Sequence, residues 1–243
     1  MSAHLELRNL VKVFGGLTAT NDVSFEVQPG TSVGIVGPNG AGKTTIFSQI
    51  MGEHIQTSGS IHLDRKDIGA LSTPARIHAG VSRTYQVPRP FAEMSVVENI
   101  RVGLMPNSVR GMIFGAPDPA REMDIARSVG FADDQLDRLP AELSMGDLRK
   151  LEMARTMATA PRLMLLDEVF AGLTVGEIAM ISDLVQKMRK NGMTFLIVSH
   201  DLRALEPLVD RVIALNQGTL IADGSYADVM NDAGVRASYL GGE

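Results

Sequence analysis

The chain has 243 residues, a formal net charge of −5 at pH 7 and no cysteine. Its length suits one large domain or a core with a subdomain, and its acidic balance argues against a nucleic-acid-binding surface. The lack of cysteine excludes disulfides, thiolate zinc sites and thiol catalysis, and it suits a reducing compartment. No apolar run approaches the roughly 18 residues of a membrane span, and no signal-peptide pattern opens the chain. We therefore expect a soluble, cytoplasmic protein.

The first region of the chain predicts antiparallel strands. Apolar residues alternate with polar ones over residues 5–7 and 23–27, before a Pro29-Gly30 turn, and again over residues 61–63. Alternation with a period of two indicates strands with one face in the core and one face in water. We therefore predict an N-terminal antiparallel β subdomain.

Residues 37–45 carry the strongest functional signal of the chain. They read Gly-Pro-Asn-Gly-Ala-Gly-Lys-Thr-Thr and match the phosphate-loop pattern G-x-x-x-x-G-K-[ST]. In such a loop, backbone N–H groups surround phosphates, the lysine reaches the β- and γ-phosphates, and the Ser or Thr hydroxyl can ligate Mg²⁺. A strand-like run, Ser32–Val36, enters the loop and a helical pattern leaves it, which disfavours an ordinary glycine-rich turn. We predict nucleoside triphosphate binding by Gly37, Pro38, Asn39, Gly40, Ala41, Gly42, Lys43, Thr44 and Thr45.

From about residue 88 the chain is predicted to be mainly helical, with interrupting prolines. Ser95 and Glu98 form a capping box, and Asp118 caps a helix whose first residue is Pro119. We predict a helical subdomain over residues 88–160. The segments 1–87 and 161–243 then form the nucleotide-binding α/β core, so the whole chain, 1–243, is one domain.

The C-terminal part returns to alternating strands and helices. Apolar runs at residues 163–166 and 195–198 predict buried strands, and an amphipathic pattern near residues 176–190 predicts a helix between them. Asn216-Gln217-Gly218 joins two further strand-like runs as a hairpin turn.

Two acidic residues, Asp167 and Glu168, directly follow the apolar run at 163–166. Ligands of open α/β sheets sit at the carboxyl ends of strands, so these acids are expected near the phosphates. Asp167 can then hold the Mg²⁺ shell, and Glu168 can orient or deprotonate an attacking water. A strand end followed by a helix cap is the alternative. His200 follows the run at 195–198 and is predicted near the γ-phosphate, although a lone histidine there is more often structural.

Two further features have a structural and a functional interpretation. Ser144 and Asp147 form a capping pair at the start of a predicted helix, but a serine hydroxyl and the free amide of Gly146 at a helix N-terminus also suit an anion. Gln86 follows Arg83-Thr84-Tyr85 at the edge of the helical region and has no functional meaning by itself.

The order of these motifs resembles that of ABC-type ATPase subunits over essentially the whole chain. The resemblance implies an α/β fold: a P-loop NTPase core with an N-terminal antiparallel β subdomain and an inserted α-helical subdomain. It also implies that two subunits pack head to tail around two ATP molecules. Phe14 would stack on adenine, and Ser144 and Gly146 would contact the γ-phosphate bound by the opposite subunit.

The resemblance further assigns the catalytic and metal-binding residues. Glu168 would be the catalytic base of an ATPase, and His200 would sense the γ-phosphate. Gln86 would sense Mg²⁺ and connect the site to a membrane partner, with Thr44, Gln86 and Asp167 around the metal. ATP and Mg²⁺ are thus the expected cofactors.

A narrower resemblance is to the ATP-binding subunits of branched-chain amino-acid importers. The segments that carry it are 14–17, 22–25, 83–86, 171–173 and Ser238-Tyr239-Leu240-Gly241. It implies a second ATPase subunit, identical or different, integral membrane permeases and, indirectly, a periplasmic or extracellular solute-binding protein, with no nucleic acid. The expected location is peripheral, on the cytoplasmic face of the inner membrane. Lipopolysaccharide-export and urea-import ATPases have similar motifs.

Three positions depart from the family pattern. Asp147 stands where a glutamine is usual, Val169 replaces a proline, and Thr174-Val175 replaces an Asn-Pro pair. We expect all three around the subunit interface, where they would leave ATP binding intact but adjust dimer closure or turnover.

Two other functions remain as alternatives. A non-transport ABC protein acting on DNA or ribosomes would need a long coiled coil, cysteine zinc modules or two ATPase halves, and this chain shows none of these in its sequence. A catalytically weakened or regulatory subunit of a heterodimer is the other alternative, suggested by the irregular signature around Asp147.

Overall fold

A computed structural model describes residues 2–105 and 118–240 of the protein. The strands are β1 (Leu5–Phe14), β2 (Leu17–Val27), β3 (Ser32–Val36), β4 (Ser58–Leu63), β5 (Lys66–Asp67), β6 (Val81–Thr84), β7 (Leu163–Asp167), β8 (Thr194–Val198), β9 (Arg211–Asn216) and β10 (Thr219–Gly224). The helices are α1 (Lys43–Met51), α2 (Thr73–His78), α3 (Val96–Leu104), α4 (Pro119–Ser128), α5 (Met145–Ala158), α6 (Val175–Lys190), α7 (Leu202–Leu205), α8 (Tyr226–Asn231) and α9 (Ala233–Leu240).

The N-terminal strands form an antiparallel sheet, as their alternation predicts. Within the described ranges its order is β2-β1-β4-β5. Leu5 pairs with Val27 on one side and Leu63 on the other. Leu5, Leu7 and Phe25 are buried, because one face of this sheet covers the core.

A second sheet forms the centre of the described structure, in the order β10-β9-β3-β8-β7-β6. The pairings from β9 to β6 are parallel, and β10 adds an antiparallel edge through the predicted hairpin. Leu165 and Leu196 face the antiparallel sheet, whereas Met164 and Phe195 face a cluster that includes the helices. Burial on both faces explains why these strands are continuous apolar runs. The predicted α/β fold with its antiparallel part is confirmed.

Helices α3, α4 and α5 lie within the region predicted to be a helical subdomain. Ser95 and Glu98 form the predicted capping box, and Asp118 accepts a hydrogen bond from the Arg121 N–H at the start of α4. Residues 106–117 lie outside the described ranges. One hydrophobic cluster contains both Ile100 of α3 and Leu166 of β7, so these helices share a core with the central sheet. The subdomain boundaries at 88 and 160 therefore stay a prediction.

No helix within residues 2–105 and 118–240 combines the length and apolar character that crossing a bilayer requires.

Candidate nucleotide-binding site

The predicted phosphate loop connects β3 to α1 and depends on glycine at both ends. Gly37 and Gly42 have φ values of 147° and 103°. A Cβ atom at Gly37 would lie 2.2 Å from the Leu215 carbonyl oxygen, and one at Gly42 would lie 2.5 Å from the Ala19 carbonyl oxygen. Side chains are therefore excluded at both positions by backbone conformation and by contact with neighbouring backbone.

The N-terminus of α1 presents uncompensated N–H groups to the loop. Its N-cap, Gly42, provides no side-chain hydrogen bond, and no acidic residue lies in the first turn. The first N–H groups of a helix have no partner within the helix, and the helix dipole adds partial positive charge there. This end of α1 is therefore suited to bind phosphate oxygens.

The ammonium of Lys43 lies inside the loop. Its Nζ donates to the carbonyl oxygens of Gly37, at 2.6 Å, and Pro38, at 2.9 Å. Burial lowers the pKa of Lys43, and the nearby Glu168 and Asp167 carboxylates oppose that shift. The lysine is thus the cation placed to offset the negative charge of a phosphate in this loop.

A cleft of about 820 Å³ opens in front of the loop, within the usual range of ligand pockets. It brings together most of the residues that the sequence singled out. Four lining residues, Leu17, Thr18, Ala19 and Gln217, have no predicted role. The predicted site residues that line it are Phe14, Asn39, Gly40, Ala41, Gly42, Lys43, Thr44, Thr45, Gln86, Glu168 and His200.

Phe14 lies at the mouth of this cleft and is 40% exposed. The Lys12 Nζ lies 4.8 Å from the centre of its ring, and the His54 ring meets it edge-on at 5.1 Å between centroids. An exposed aromatic ring beside the phosphate loop can stack on a nucleotide base. Its contact with adenine stays a prediction.

Glu168 and His200 meet at the ends of β7 and β8, which are neighbours in the sheet. The His200 backbone N–H donates to Glu168 Oε2 at 3.0 Å, and His200 Nε2 lies 3.3 Å from Oε1. That second contact lacks hydrogen-bond geometry, because Oε1 has no hydrogen-bond partner among the described residues. Glu168 also has a φ of 51°, a left-handed conformation that is strained for a side-chain-bearing residue. One oxygen of the Glu168 carboxylate, Oε2, is therefore held by a hydrogen bond, and the other, Oε1, has no hydrogen-bond partner among the described residues.

Asp167 is fixed by an arginine that the sequence analysis left without a role. Arg83 donates to Asp167 Oδ2 at 2.6 Å and to Glu53 Oε2 at 2.7 Å, and its side chain is 4% exposed. The Tyr85 hydroxyl donates to the other Glu53 oxygen at 2.9 Å. The buried Asp167 Oδ1 has no hydrogen-bond partner among the described residues. Arg83 thus holds one oxygen of Asp167 and leaves the other free.

The segment that carries Gln86 is tied to α5, the helix that begins at the signature sequence. Arg149 donates to the carbonyl oxygens of Tyr85, at 2.6 Å, and Gln86, at 2.8 Å. Glu152 accepts from the Tyr85 N–H at 2.7 Å and pairs with Arg149. Burial raises the pKa of Glu152, and Tyr85 and Arg149 oppose that shift. Arg149 and Glu152 are ordinary charged residues in the sequence, which gave no signal for this contact.

Ser144 and Gly146 do not line the cleft. The Ser144 hydroxyl accepts from the Asp147 N–H at 3.1 Å, so the predicted cap is present. The Gly146 N–H donates to Glu177 Oε1 at 2.8 Å. Glu177 lies in the first turn of α6, where its other oxygen accepts from the N–H and hydroxyl of Thr174. A carboxylate of the same chain therefore occupies the N-terminus of the signature helix.

This carboxylate predicts a pH dependence of stability. Hydrogen bonds from the Thr174 backbone, the Thr174 hydroxyl and Gly146 lower the pKa of Glu177 to about 2. A lowered pKa stabilises the fold above the unfolded value near 4.5, and this stabilisation is lost as the pH falls towards 2. In Glu177→Gln we expect a smaller fall in unfolding free energy over that interval, measured by urea titration at several pH values. Glu206→Gln, at an exposed position, is the control, and equal slopes for Glu177→Gln and wild type would contradict the assignment.

The three departures from the family pattern have different surroundings. Asp147 pairs with Lys150 at 2.6 Å, so a cation of the same helix, α5, lies beside its extra negative charge. Thr174 caps α6, and Val175 is 85% exposed. Val169 was expected at a subunit interface, but its side chain is fully buried in the core. The Val169 side chain therefore has no surface of its own, and its place around a subunit interface stays a prediction.

A family model decides what kind of protein this is. Residues 20–171 match the model described as ABC transporter. The chain belongs to that family. Residues 219–243 also match a model described as branched-chain amino acid ATP-binding cassette transporter. As an ABC transporter ATPase subunit, the protein binds and hydrolyses ATP, in agreement with the predicted enzyme class.

The ABC ATPase is similar along its whole length to curated relatives. It is 34% identical to the high-affinity branched-chain amino acid transport ATP-binding protein LivG of Escherichia coli strain K12, with 98% of this chain and 97% of that protein covered. It is 35% identical to BraF of Pseudomonas aeruginosa, with the same coverage. It is also 33% identical to the lipopolysaccharide export system ATP-binding protein LptB of Escherichia coli strain K12, with 98% of both chains covered.

Solved structures agree with the fold of the ABC ATPase. A nucleotide-free ATP-binding cassette of an ABC transporter superposes with a TM-score of 0.88 at 29% identity, covering 98% of both chains. The ADP conformation of MJ1267, another such cassette, has the same TM-score and identity and covers both chains completely. The expected ABC ATPase fold is therefore confirmed.

Proposed function

We propose that this ABC ATPase drives the import of branched-chain amino acids or related amino acids and amides. The match of residues 219–243 to the branched-chain amino acid cassette model carries this proposal. The identities with LivG and BraF over nearly the full chain support it. LptB is similar at almost the same level, so lipopolysaccharide export is the second candidate.

In the proposed cycle two ATPase subunits enclose ATP between the cleft of one and the signature helix of the other. Phe14 and the phosphate loop hold the nucleotide from one side. Ser144 and Gly146 contact its γ-phosphate from the other subunit, which agrees with their position outside the cleft of their own chain. Gly146 must exchange its bond with Glu177 for one with the phosphate.

The residues present fit a Mg²⁺ ion. Thr44 lines the cleft, and Asp167 has a buried oxygen without a hydrogen-bond partner among the described residues. The described residues contain no cluster of three or more His, Asp or Glu side chains able to hold a metal by themselves. Mg²⁺ is commonly bound by one or two protein oxygens together with phosphates, which is the arrangement proposed here. We propose Thr44, Asp167 and Gln86 as its surroundings, where Mg²⁺ would neutralise phosphate charge.

Glu168 is proposed as the base that takes a proton from the attacking water. Glu168 lines the cleft, its buried Oε1 has no hydrogen-bond partner among the described residues, and His200 lies beside it. A positioned carboxylate of this kind can accept a proton as the water attacks the γ-phosphate. His200 is half-exposed and can contact the γ-phosphate from the neighbouring strand end.

The proposed membrane partner is an integral permease that contacts the protein near Gln86. Three apolar side chains close to it in sequence are exposed, namely Val87, Phe91 and Met94. Exposed apolar side chains favour a protein contact where they form one patch, and we propose that these three do so. Such a contact would keep the protein at the cytoplasmic face of the membrane.

Purification of tagged protein from solubilised membranes tests this function. We expect an integral membrane protein to co-purify, and Phe91→Asp to lower its recovery. Ile221→Asp, at a partly exposed position on the edge strand β10, is the matched control. Recovery of no membrane partner would contradict the transport function. Loss of labelled leucine uptake on gene deletion, restored by the wild-type gene, would support the amino-acid substrate, and unchanged uptake would favour the second candidate.

Substitution of Asp147 tests whether this residue lowers dimer closure or the ATPase rate in the proposed dimer. Its carboxylate lies one residue from Gly146, which would face a triphosphate. One extra negative charge costs about 1 kcal/mol at 4 Å in water, which corresponds to roughly a fivefold effect. We therefore expect Asp147→Gln to raise ATP-driven dimerisation or the ATPase rate by up to about fivefold. No change in either would remove the basis for tuning by Asp147, and the pairing with Lys150 would then account for the missing effect.

A further inference from the structure

The C-terminal helix α9 reaches back to the phosphate loop. The Tyr239 hydroxyl accepts a hydrogen bond from the Gly37 N–H at 2.8 Å, although the two residues are 202 positions apart. Gly37 is the first residue of the loop, where β3 ends. This contact joins the last described helix to the entrance of the nucleotide site.

Gly37 is held from three sides. Its N–H is bound by Tyr239, and its own carbonyl accepts from Lys43 Nζ. The Leu215 carbonyl oxygen lies so close on the third side that a Cβ atom at Gly37 would be 2.2 Å from it. A Lys43 ammonium that moves to a phosphate releases the Gly37 carbonyl. The Tyr239 hydroxyl and the packing on Leu215 then have to keep this residue in place.

The tyrosine is carried by a fixed helix. Val235, one turn before Tyr239, is buried in the core, and the Asp232 carboxylate accepts from its N–H at 3.0 Å. Burial raises the pKa of Tyr239; the Gly37 N–H opposes the shift and the Glu168 charge adds to it. The hydroxyl is therefore neutral at physiological pH and accepts from Gly37 as a phenol.

We propose that Tyr239 is a positioning residue for ATP binding. By holding Gly37, it keeps the following loop in the curvature that directs backbone N–H groups and Lys43 towards the phosphates. It does not touch the reacting atoms. Removal of the Tyr239 hydroxyl should therefore weaken the affinity for ATP and leave the hydrolysis rate at saturating ATP unchanged.

Tyr239→Phe removes only the hydroxyl and tests this role. A net hydrogen bond corresponds to about a threefold to tenfold change in affinity, so we expect ATP to bind that much more weakly and KM to rise with kcat unchanged. The Gly37 amide should also exchange its hydrogen faster, as measured by NMR. Tyr226→Phe is the matched control, because that hydroxyl donates to the Leu202 carbonyl and does not contact the loop.

The proposal rests on ATP binding at the phosphate loop, so Lys43→Ala is measured alongside. If Lys43→Ala binds ATP like the wild type, the loop assignment itself fails. If Lys43→Ala loses binding but Tyr239→Phe binds ATP like the wild type, only the role of Tyr239 is overturned, whatever the exchange rate of Gly37. Equal weakening in Tyr239→Phe and Tyr226→Phe would also overturn it, because the effect would then belong to the C-terminal fold.

Discussion

Glu168→Gln is expected to slow ATP hydrolysis by about 10²-fold to 10⁴-fold while ATP binding is retained. The substitution preserves the shape of the side chain, and an amide oxygen can still accept from the His200 N–H, as Oε2 does at 3.0 Å. The amide cannot take a proton from water at neutral pH. Because closure of the proposed dimer needs ATP and opening needs hydrolysis, the variant should also accumulate as an ATP-bound dimer.

Two measurements check this expectation. Steady-state phosphate release gives the loss of turnover, and size-exclusion chromatography with ATP gives the dimer fraction. Glu206→Gln is the control, since it makes the same chemical change at an exposed position that does not line the cleft. A Glu168→Gln protein that hydrolyses ATP at the full rate would overturn the assignment of the base.

Arg83→Met should produce the largest loss of stability, about 3–5 kcal/mol, because it leaves the buried Asp167 carboxylate without its counter-charge and also removes the partner of the partly exposed Glu53. Arg83 bridges Asp167 and Glu53, and it also donates to the Ser48 hydroxyl at 3.1 Å. Methionine fills part of the space but donates no hydrogen bond. Arg83→Lys keeps the charge, yet a single ammonium cannot reproduce the planar pairing with two carboxylates, so we expect an intermediate loss.

Urea unfolding at neutral pH measures these changes. Arg127→Met is the matched control, because Arg127 pairs with Asp133 at 2.9 Å on the surface and the loss of an exposed ion pair should have only a small effect on stability. Similar losses of unfolding free energy for Arg83→Met and Arg127→Met would show that the ion pairs of Arg83 stabilise the fold no more than an exposed ion pair does. ATPase activity of Arg83→Lys, measured below its unfolding temperature, then reports how far Asp167 depends on Arg83 for its position.

The parts of this protein that the sequence predicts are those with a local physical signal. A period of two in residues 5–7 and 23–27 gives the antiparallel strands, because side chains of a strand alternate between faces. The run 37–45 predicts the phosphate loop, since glycine at positions 37 and 42 is demanded by backbone conformation. Asp167 and His200 follow apolar runs, and parallel pairing of β7 and β8 brings those strand ends together.

The parts that only the tertiary structure decided are contacts between distant residues. Arg83, Arg149 and Glu177 are ordinary charged residues in the sequence, and their roles arise from partners on other elements. Tyr239 meets Gly37 only after the chain has closed a loop of 202 positions. Val169 could not be placed from its neighbours, because burial depends on what packs above the residue.

The sequence by itself therefore determined the fold class, the family and the nucleotide chemistry of the loop. The fold class and the loop chemistry follow from backbone conformation, periodicity and fixed short spacings, which are properties of neighbouring residues, and the family follows from the resemblance of the ordered motifs. The tertiary structure decided which side chains hold the chemical groups in place. Hydrogen bonds and ion pairs form between any donor and acceptor that folding brings within about 3 Å, and no local pattern records that meeting.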